Sequence, residues 1–371
     1  MKELTDIIDG FERLSRTGKP VTLATVVGVS GSTYRRPGAR MLFSETGRLA
    51  GLINAACLES DLSERARKVI LSGKAELISY DTTSPDDIVF GLGLGCNGTV
   101  EILMESSRNP AVGARIEALK QCSAGDTPTV FATVIGVSGT SGIHVGDYLA
   151  HGLRRAAAGA ITDKLLASAI ESDARTMTDK LSMQKTYPSE GGKVRVFFEV
   201  VVPPLPLVVF GAGPDAIPLV DAAKLLGWNV TVIDHRPAYA TRESVSGADS
   251  VMLSEPEHVL DHFKLSQRHV AVIMTHNFDK DRKLLRLLLD SPVQYVGLLG
   301  PKSKLQTLFQ NLAGEGFKPT EAQLKKLHAP IGLDIGAETP EEIAFSIISE
   351  IKAVLGNRSG GFLKDRQGAI H

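Results

Sequence analysis

The sequence predicts an α/β protein in two parts: an N-terminal duplicated α/β domain (residues 1–202) and a C-terminal Rossmann-like doubly wound parallel sheet (203–371). Three observations predict it. A proline cluster at Pro203, Pro204 and Pro206 separates two regions of different pattern. Before it, short β-rich runs lie between Gly, Ser and Thr punctuation, and one of these runs recurs 108 residues later. After it, apolar strand runs alternate with helix-period segments, the pattern of βαβ units and a mostly parallel sheet.

In the N-terminal part, Val21–Val29, Arg40–Phe43, Ala75–Tyr80 and Thr99–Glu105 read as strands. Pro20 to Gly31 matches Pro128 to Gly139 at eight of twelve positions, and with the same offset Gly38 falls on Gly146 and Gly51 on Gly159. The segments also close alike, Gly98–Glu105 resembling Gly192–Glu199. A period near 100 residues is too long for a solenoid, so two copies, 1–107 and 108–202, are expected to pack as one lobe. Only the first copy carries Gly31-Ser-Thr-Tyr-Arg35-Arg36-Pro-Gly38, Asn54-Ala-Ala-Cys57-Leu-Glu59 and Gly91-Leu-Gly-Leu-Gly-Cys96-Asn-Gly98. Chemistry is therefore expected in the first copy, with the second structural.

The C-terminal part opens with the strand run Leu207–Phe210. Gly211-Ala-Gly213-Pro-Asp-Ala216 follows directly and leads into an apolar helix pattern through Ile217, Val220, Ala223 and Leu226. This is a dinucleotide-type turn: Gly211 permits the turn, Gly213 lets backbone amides approach a phosphate, and Ala216 allows close helix–strand packing. The next strand, Asn229–Asp234, ends in an acid 23 positions after Gly211, where a ribose-binding carboxylate is expected. Further strands are expected at Ser250–Leu253, His269–Thr275 and Gln294–Leu299. His276, Lys302 and Lys304 follow strand ends and so would line the ligand crevice; the plainer reading has His276 capping the next helix and the lysines solvated. Thr339-Pro340-Glu341-Glu342 reads as a capped helix start, followed by a stripe of Ile343, Ile347, Ile351 and Leu355.

Composition narrows the function. With 41 Lys+Arg against 42 Asp+Glu in 371 residues, the net charge of −1 gives no field favouring nucleic acid or an anionic membrane. Neither partner is expected. Three cysteines, Cys57, Cys96 and Cys122, are too few for a disulfide scaffold and point to a reducing cytoplasm. The N-terminus lacks a secretory pattern, and no run reaches the roughly 18 apolar residues of a spanning helix. No Ser-His-Asp grouping, Walker loop or His-Glu-x-x-His motif occurs, which argues against common hydrolases and NTPases.

Cys57 and Cys96 sit in loops of small residues, where free amides and the cationic Arg35 or Arg36 would lower a thiol pKa. Such a thiol suits a soft metal or a sulfur carrier, although buried inert cysteine is the default for the residue type. Their spacing is unlike a structural zinc site, and no resident metal is expected. Glu59 reads as an acid/base or ligand-orienting carboxylate, or as the cap of a helix starting near Ser60.

Together these motifs resemble the xanthine dehydrogenase maturation factor family of the XdhC/CoxI type. The resemblance rests on Gly31 to Gly38, the Cys57-x-Glu59 loop, Gly93-Leu-Gly95-Cys96-x-Gly98, Val232-Ile-Asp234-His235-Arg236-Pro237, Met274-Thr-His276, Tyr295 to Gly300 with Lys304, and Ala329 to Ile343. It implies a cytoplasmic accessory protein, often a homodimer, that binds molybdenum cofactor transiently, assists its sulfuration by a cysteine desulfurase, and delivers it to xanthine dehydrogenase or a related molybdenum hydroxylase. In that reading Arg35, Cys57, Glu59 and Cys96 handle the cofactor, while Gly211, Gly213, Asp234, His235, Arg236, Lys302 and Lys304 bind a nucleotide. The family loop usually reads Gly-Gly-Gly-Cys-x-Glu, whereas here Ala55 and Ala56 place two Cβ atoms beside Cys57. The alternative class is an NAD(P)-dependent oxidoreductase using Asp234 for the ribose and His276 as acid/base.

Overall fold

The computed structural model describes residues 2–31, 34–53, 58–81, 98–139, 142–153, 161–177, 182–189 and 191–367. Cys57 and Cys96 lie outside these residues. The chain divides into two compact units, Glu3–Pro203 and Pro204–His371.

In the first unit, α1 (Lys2–Ser15) buries Leu4, Ile7, Ile8 and Phe11, an i, i+3, i+4, i+7 stripe. Then come β1 (Thr22–Gly31), β2 (Arg40–Ser44), β3 (Gly47–Gly51), α2 (Glu59–Ser72), β4 (Glu76–Asp81) and β5 (Gly98–Ser106), whose strands form an antiparallel sheet in the order β3-β2-β1-β5-β4. A second series follows: α3 (Pro110–Ser123), β6 (Thr129–Ser138), β7 (Tyr148–His151), α4 (Lys164–Arg175), β8 (Ser182–Ser189) and β9 (Gly192–Val201). Its sheet runs β7-β6-β9-β8, also antiparallel.

The two halves share more than their matching strand. α1 and α3 begin and end 108 residues apart, although their sequences differ. The β1–β5 register shifts between Val26 and Gly28, and the β6–β9 register shifts between Val134 and Gly136, again 108 residues on. Tyr80 and Tyr187, opposite Val100 and Val194, donate their hydroxyls to helix carboxylates, Asp61 and Asp173. Burial and the neighbouring carboxylate push both phenols well above their ordinary range.

The halves also grip one another reciprocally. Arg40 of the first pairs with Glu199 of the second, and Arg115 of the second pairs with Glu105 of the first, all four side chains being almost wholly buried. Each glutamate packs over a glycine of the other half: a Cβ on Gly38 would lie 3.0 Å from Glu199, and one on Gly146 would lie 2.6 Å from Glu105. A shared core joins Ile7, Leu23 and Leu42 to Leu119, Phe131 and Tyr148. Cys122 sits inside α3, buried, with its thiol donating to the Val201 carbonyl at 3.3 Å.

The second unit comprises β10 (Pro206–Phe210), α5 (Ala216–Leu225), β11 (Asn229–Asp234), β12 (Ser250–Leu253), β13 (Val270–Ile273), α6 (Phe278–Asp290), β14 (Tyr295–Leu298), α7 (Lys302–Gly314), α8 (Glu321–Lys325), β15 (Leu327–His328) and α9 (Pro340–Leu355). Its six strands are all parallel, in the order β12-β11-β10-β13-β14-β15. Counted within the unit this is 3-2-1-4-5-6, the order of dinucleotide-binding folds. Alternation along β10 explains the two layers of helices. Leu207 and Val209 face a core with α5 and α9, whereas Val208 and Phe210 face one with α6 and α7.

At α9, the Thr339 side chain accepts from the Glu342 amide and the Glu342 side chain accepts from the Thr339 amide, the expected capping box. The apolar stripe is shorter than predicted: Ile347 and Ile351 are buried, but Leu355 is exposed. Among the described residues, no helix is long and apolar enough to cross a membrane.

Candidate cofactor-handling site

Strand direction determines where the first unit's motifs meet. Thr25 opposes Arg40, Met41 opposes Gly51, Gly31 opposes Gly98, and Asp81 opposes Thr99. Consequently β1, β3 and β4 end, and β2 and β5 begin, at one end of the five-stranded sheet. The connections that carry Arg35 and Arg36, Cys57, and Cys96 all leave or rejoin the described chain there.

Around this end the described side chains are specifically paired. Arg35 donates to Glu3 Oε2 at 2.5 Å, and the other oxygen of Glu3 accepts the Arg40 amide at 3.1 Å, tying the Arg35 segment to α1. Glu59 is the first residue of α2 and accepts from Arg48 Nε at 3.0 Å, so it begins the helix rather than preceding it. Burial opposes the charge of Asp61 in the same first turn. The Tyr80 hydroxyl and the Arg65 guanidinium outweigh this and hold its carboxyl below the ordinary range. Arg36 is exposed and has no ion pair among the described residues.

The second unit places its glycine turn at the switch point between β10 and β13. Gly211 has φ +116°, and a Cβ there would stand 2.4 Å from the Met274 carbonyl oxygen, so only glycine fits where the turn crosses the end of β13. Ala216 is fully buried against the sheet. Asp234 ends β11 as expected, and both of its oxygens accept from the protein. Its Oδ2 accepts the Ala212 amide and Arg236 Nη2, each at 2.7 Å, and its Oδ1 accepts the Arg236 amide (2.8 Å) and Nε (3.0 Å). Burial opposes its ionisation, but these four donors keep the carboxyl below its ordinary range. The carboxylate is a clasp closing the turn onto β11, with Arg236 supplying three of its four donors.

The other predicted residues follow strand ends, and all but Lys302 have an unforeseen neighbour. His235 Nδ1 stands 3.5 Å from Asp234, and the Arg236 guanidinium stacks over the Tyr239 ring at 3.9 Å. His276, at φ +55°, is exposed and bonds through Nε2 to Asp215 at 2.6 Å. It does not cap the next helix; Asn277 does, accepting the Lys280 amide. Lys304 reaches the fully buried Asp281 at 2.5 Å and donates to the Leu299 carbonyl. Lys302 is exposed on the first turn of α7. Asp215 and Asp281 were missed, although Asp215 stands in the glycine turn itself. Among the described residues, no cluster of His, Cys, Asp and Glu could hold a metal ion.

Fold and turn together define a two-unit protein whose second unit is a Rossmann domain. Residues 207–351 match the family described as the XdhC Rossmann domain, and residues 14–81 match the XdhC and CoxI family. The chain is 32% identical over 347 residues to a probable xanthine dehydrogenase subunit of Bacillus subtilis, covering 92% of this chain and 95% of that one. It is 21% identical over 339 residues to the molybdenum cofactor insertion chaperone PaoD of Escherichia coli, covering 91% and 84%. A crystal structure described as a xanthine dehydrogenase of Bacillus halodurans superposes with a TM-score of 0.72 at 29% identity, covering 96% and 98%. The chain therefore belongs to the XdhC and CoxI family.

Proposed function

We propose that this protein is a maturation factor that carries molybdenum cofactor as cargo to a molybdenum hydroxylase of the xanthine dehydrogenase type. The supporting observation is that the strand ends flanking the connections that bear Arg35, Cys57 and Cys96 lie at one end of the first sheet, with Glu59 opening α2 after the second of them. A cargo with a soft molybdenum–sulfur centre and a phosphate suits thiolates combined with glycine amides and a cation. The names of the Bacillus subtilis and Escherichia coli relatives point to the same pathway. Sulfuration on this protein by a cysteine desulfurase, a homodimeric state and a cytoplasmic location complete the proposal.

An NAD(P)-dependent oxidoreductase would lean on Gly211, Gly213 and His276. The engagement of Asp234 by four protein donors counts against it.

The test is anaerobic purification from cells making molybdenum cofactor, followed by molybdenum and pterin analysis of wild type and Cys96→Ala. Wild-type protein is expected to retain pterin, and the variant to lose it. A wild type without pterin that binds NAD(P)H and turns over a substrate would overturn the proposal.

A further inference from the structure

A cavity of about 670 Å³ opens in the first unit where the two halves meet. The first half supplies Ser30 of β1, Thr99 and Glu101 of β5, and Arg36; the second half supplies Met183 and Gln184 of β8. Its volume lies within the roughly 300–1,000 Å³ usual for small-molecule sites.

Gln184 Nε2 donates across the halves to the Val27 carbonyl (2.9 Å) and to Glu101 Oε2 (2.8 Å), while Arg195 answers the other Glu101 oxygen at 3.0 Å. Glycine at position 28 makes room for this cluster, since a Cβ there would stand 2.5 Å from both Gln184 and Glu101. The corresponding Gly136 has no such constraint, its nearest neighbours being 3.6 Å away. Also in the lining, the Ser30 and Thr99 hydroxyls lie 2.7 Å apart. Arg36 adds a cation with no ion pair among the described residues. The charge of Glu101 is already met by Arg195, so among the described residues the lining has a cation to spare and favours an anionic ligand.

The geometry points to this cavity as the seat of a phosphate-bearing planar heterocycle. Arg36 and the two hydroxyls would take the phosphate, while Met183, Glu101 and Gln184 would take the ring and its N–H edge. This rests on the maturation reading above, in which the ligand is the pterin of molybdenum cofactor. Ser30 and Thr99 lie opposite one another at the sheet end where β5 begins, at Gly98, after the Cys96 motif.

The experiment compares wild type, Arg36→Lys, Arg36→Gln and Ser79→Trp, the last filling the cavity from an exposed lining position on β4. Each is purified anaerobically from cells making molybdenum cofactor, the retained pterin is measured as its fluorescent oxidation product, and melting temperature is recorded. Arg36→Gln is expected to retain at least tenfold less pterin at an unchanged melting temperature, as expected for a lost charged contact, with Arg36→Lys close to wild type. Ser79→Trp is expected to lose pterin as well; should it fail to fold, the Arg36 pair decides. Retention by Arg36→Gln within twofold of wild type overturns the subsite and leaves the maturation reading standing. Absence of pterin from wild type overturns that reading itself.

Discussion

Replacing Arg115 with alanine would strand Glu105 as an unpaired charge inside the first unit. The two side chains are only 4% and 2% exposed, and Oε1 of Glu105 already lacks a hydrogen-bond partner among the described residues. Breaking such a buried pair costs about 3–5 kcal/mol. For a unit of this size, each kcal/mol moves the melting temperature by about 2–4 °C, so a fall of roughly 6–20 °C is expected. Circular dichroism follows both units. The chain's one tryptophan, Trp228, is buried in the second unit's core, so its fluorescence reports that unit separately. Changing both partners, Glu105→Leu with Arg115→Met, removes the stranded charge and should restore most of the loss. A loss below about 1 kcal/mol in the single variant, or a double variant no more stable than the single, would refute the assignment.

Burial opposes the charge of Glu350, but His328, the Gly332 amide and the Tyr295 hydroxyl outweigh it and hold its carboxyl below the ordinary 4.5. A folded value below the unfolded one means the stability is present above about pH 4.5 and lost as pH falls through the folded value; Glu350→Gln should flatten that acid limb in Trp228-monitored unfolding. Gly211→Ala sets a Cβ against the Met274 carbonyl at positive φ, and a loss of at least about 2 kcal/mol is expected. An unchanged Trp228 unfolding midpoint would refute it. Thr339→Ala removes one arm of the capping box and should cost about 1 kcal/mol in urea titrations.

Much of the architecture was legible in the sequence because it is written in short-range patterns. The strand, glycine turn, helix and acidic second strand between Leu207 and Asp234 are each local, and the parallel sheet follows from their repetition. The match of β1 to β6 was visible because strands with similar neighbours on both faces constrain most positions. The likeness of α1 to α3 was not, since a helix needs only an apolar stripe and tolerates change elsewhere. Ile7 stands in α1 where α3 has Arg115, and Arg40 opens β2 where β7 has Tyr148. The donors to Asp234 were not legible because spacing places a carboxylate but cannot count what it accepts from, here Ala212 and Arg236. The cavity at Gly28 was invisible for a different reason: Glu101 and Gln184 lie 83 positions apart and meet only once the halves pack.

The reciprocal glutamate–arginine pairs carry a consequence for dividing the protein. A cut near Ser107 would leave Arg40 and Glu105 on one fragment and Arg115 and Glu199 on the other, so each piece would retain one member of both pairs. Neither fragment could bury its charged residues alone, and each supplies the counter-charges that the other lacks. The halves are thus committed to one another as an obligate heterodimer would be, although a single peptide joins them. Having exchanged positions for their arginines, they can no longer be interchanged.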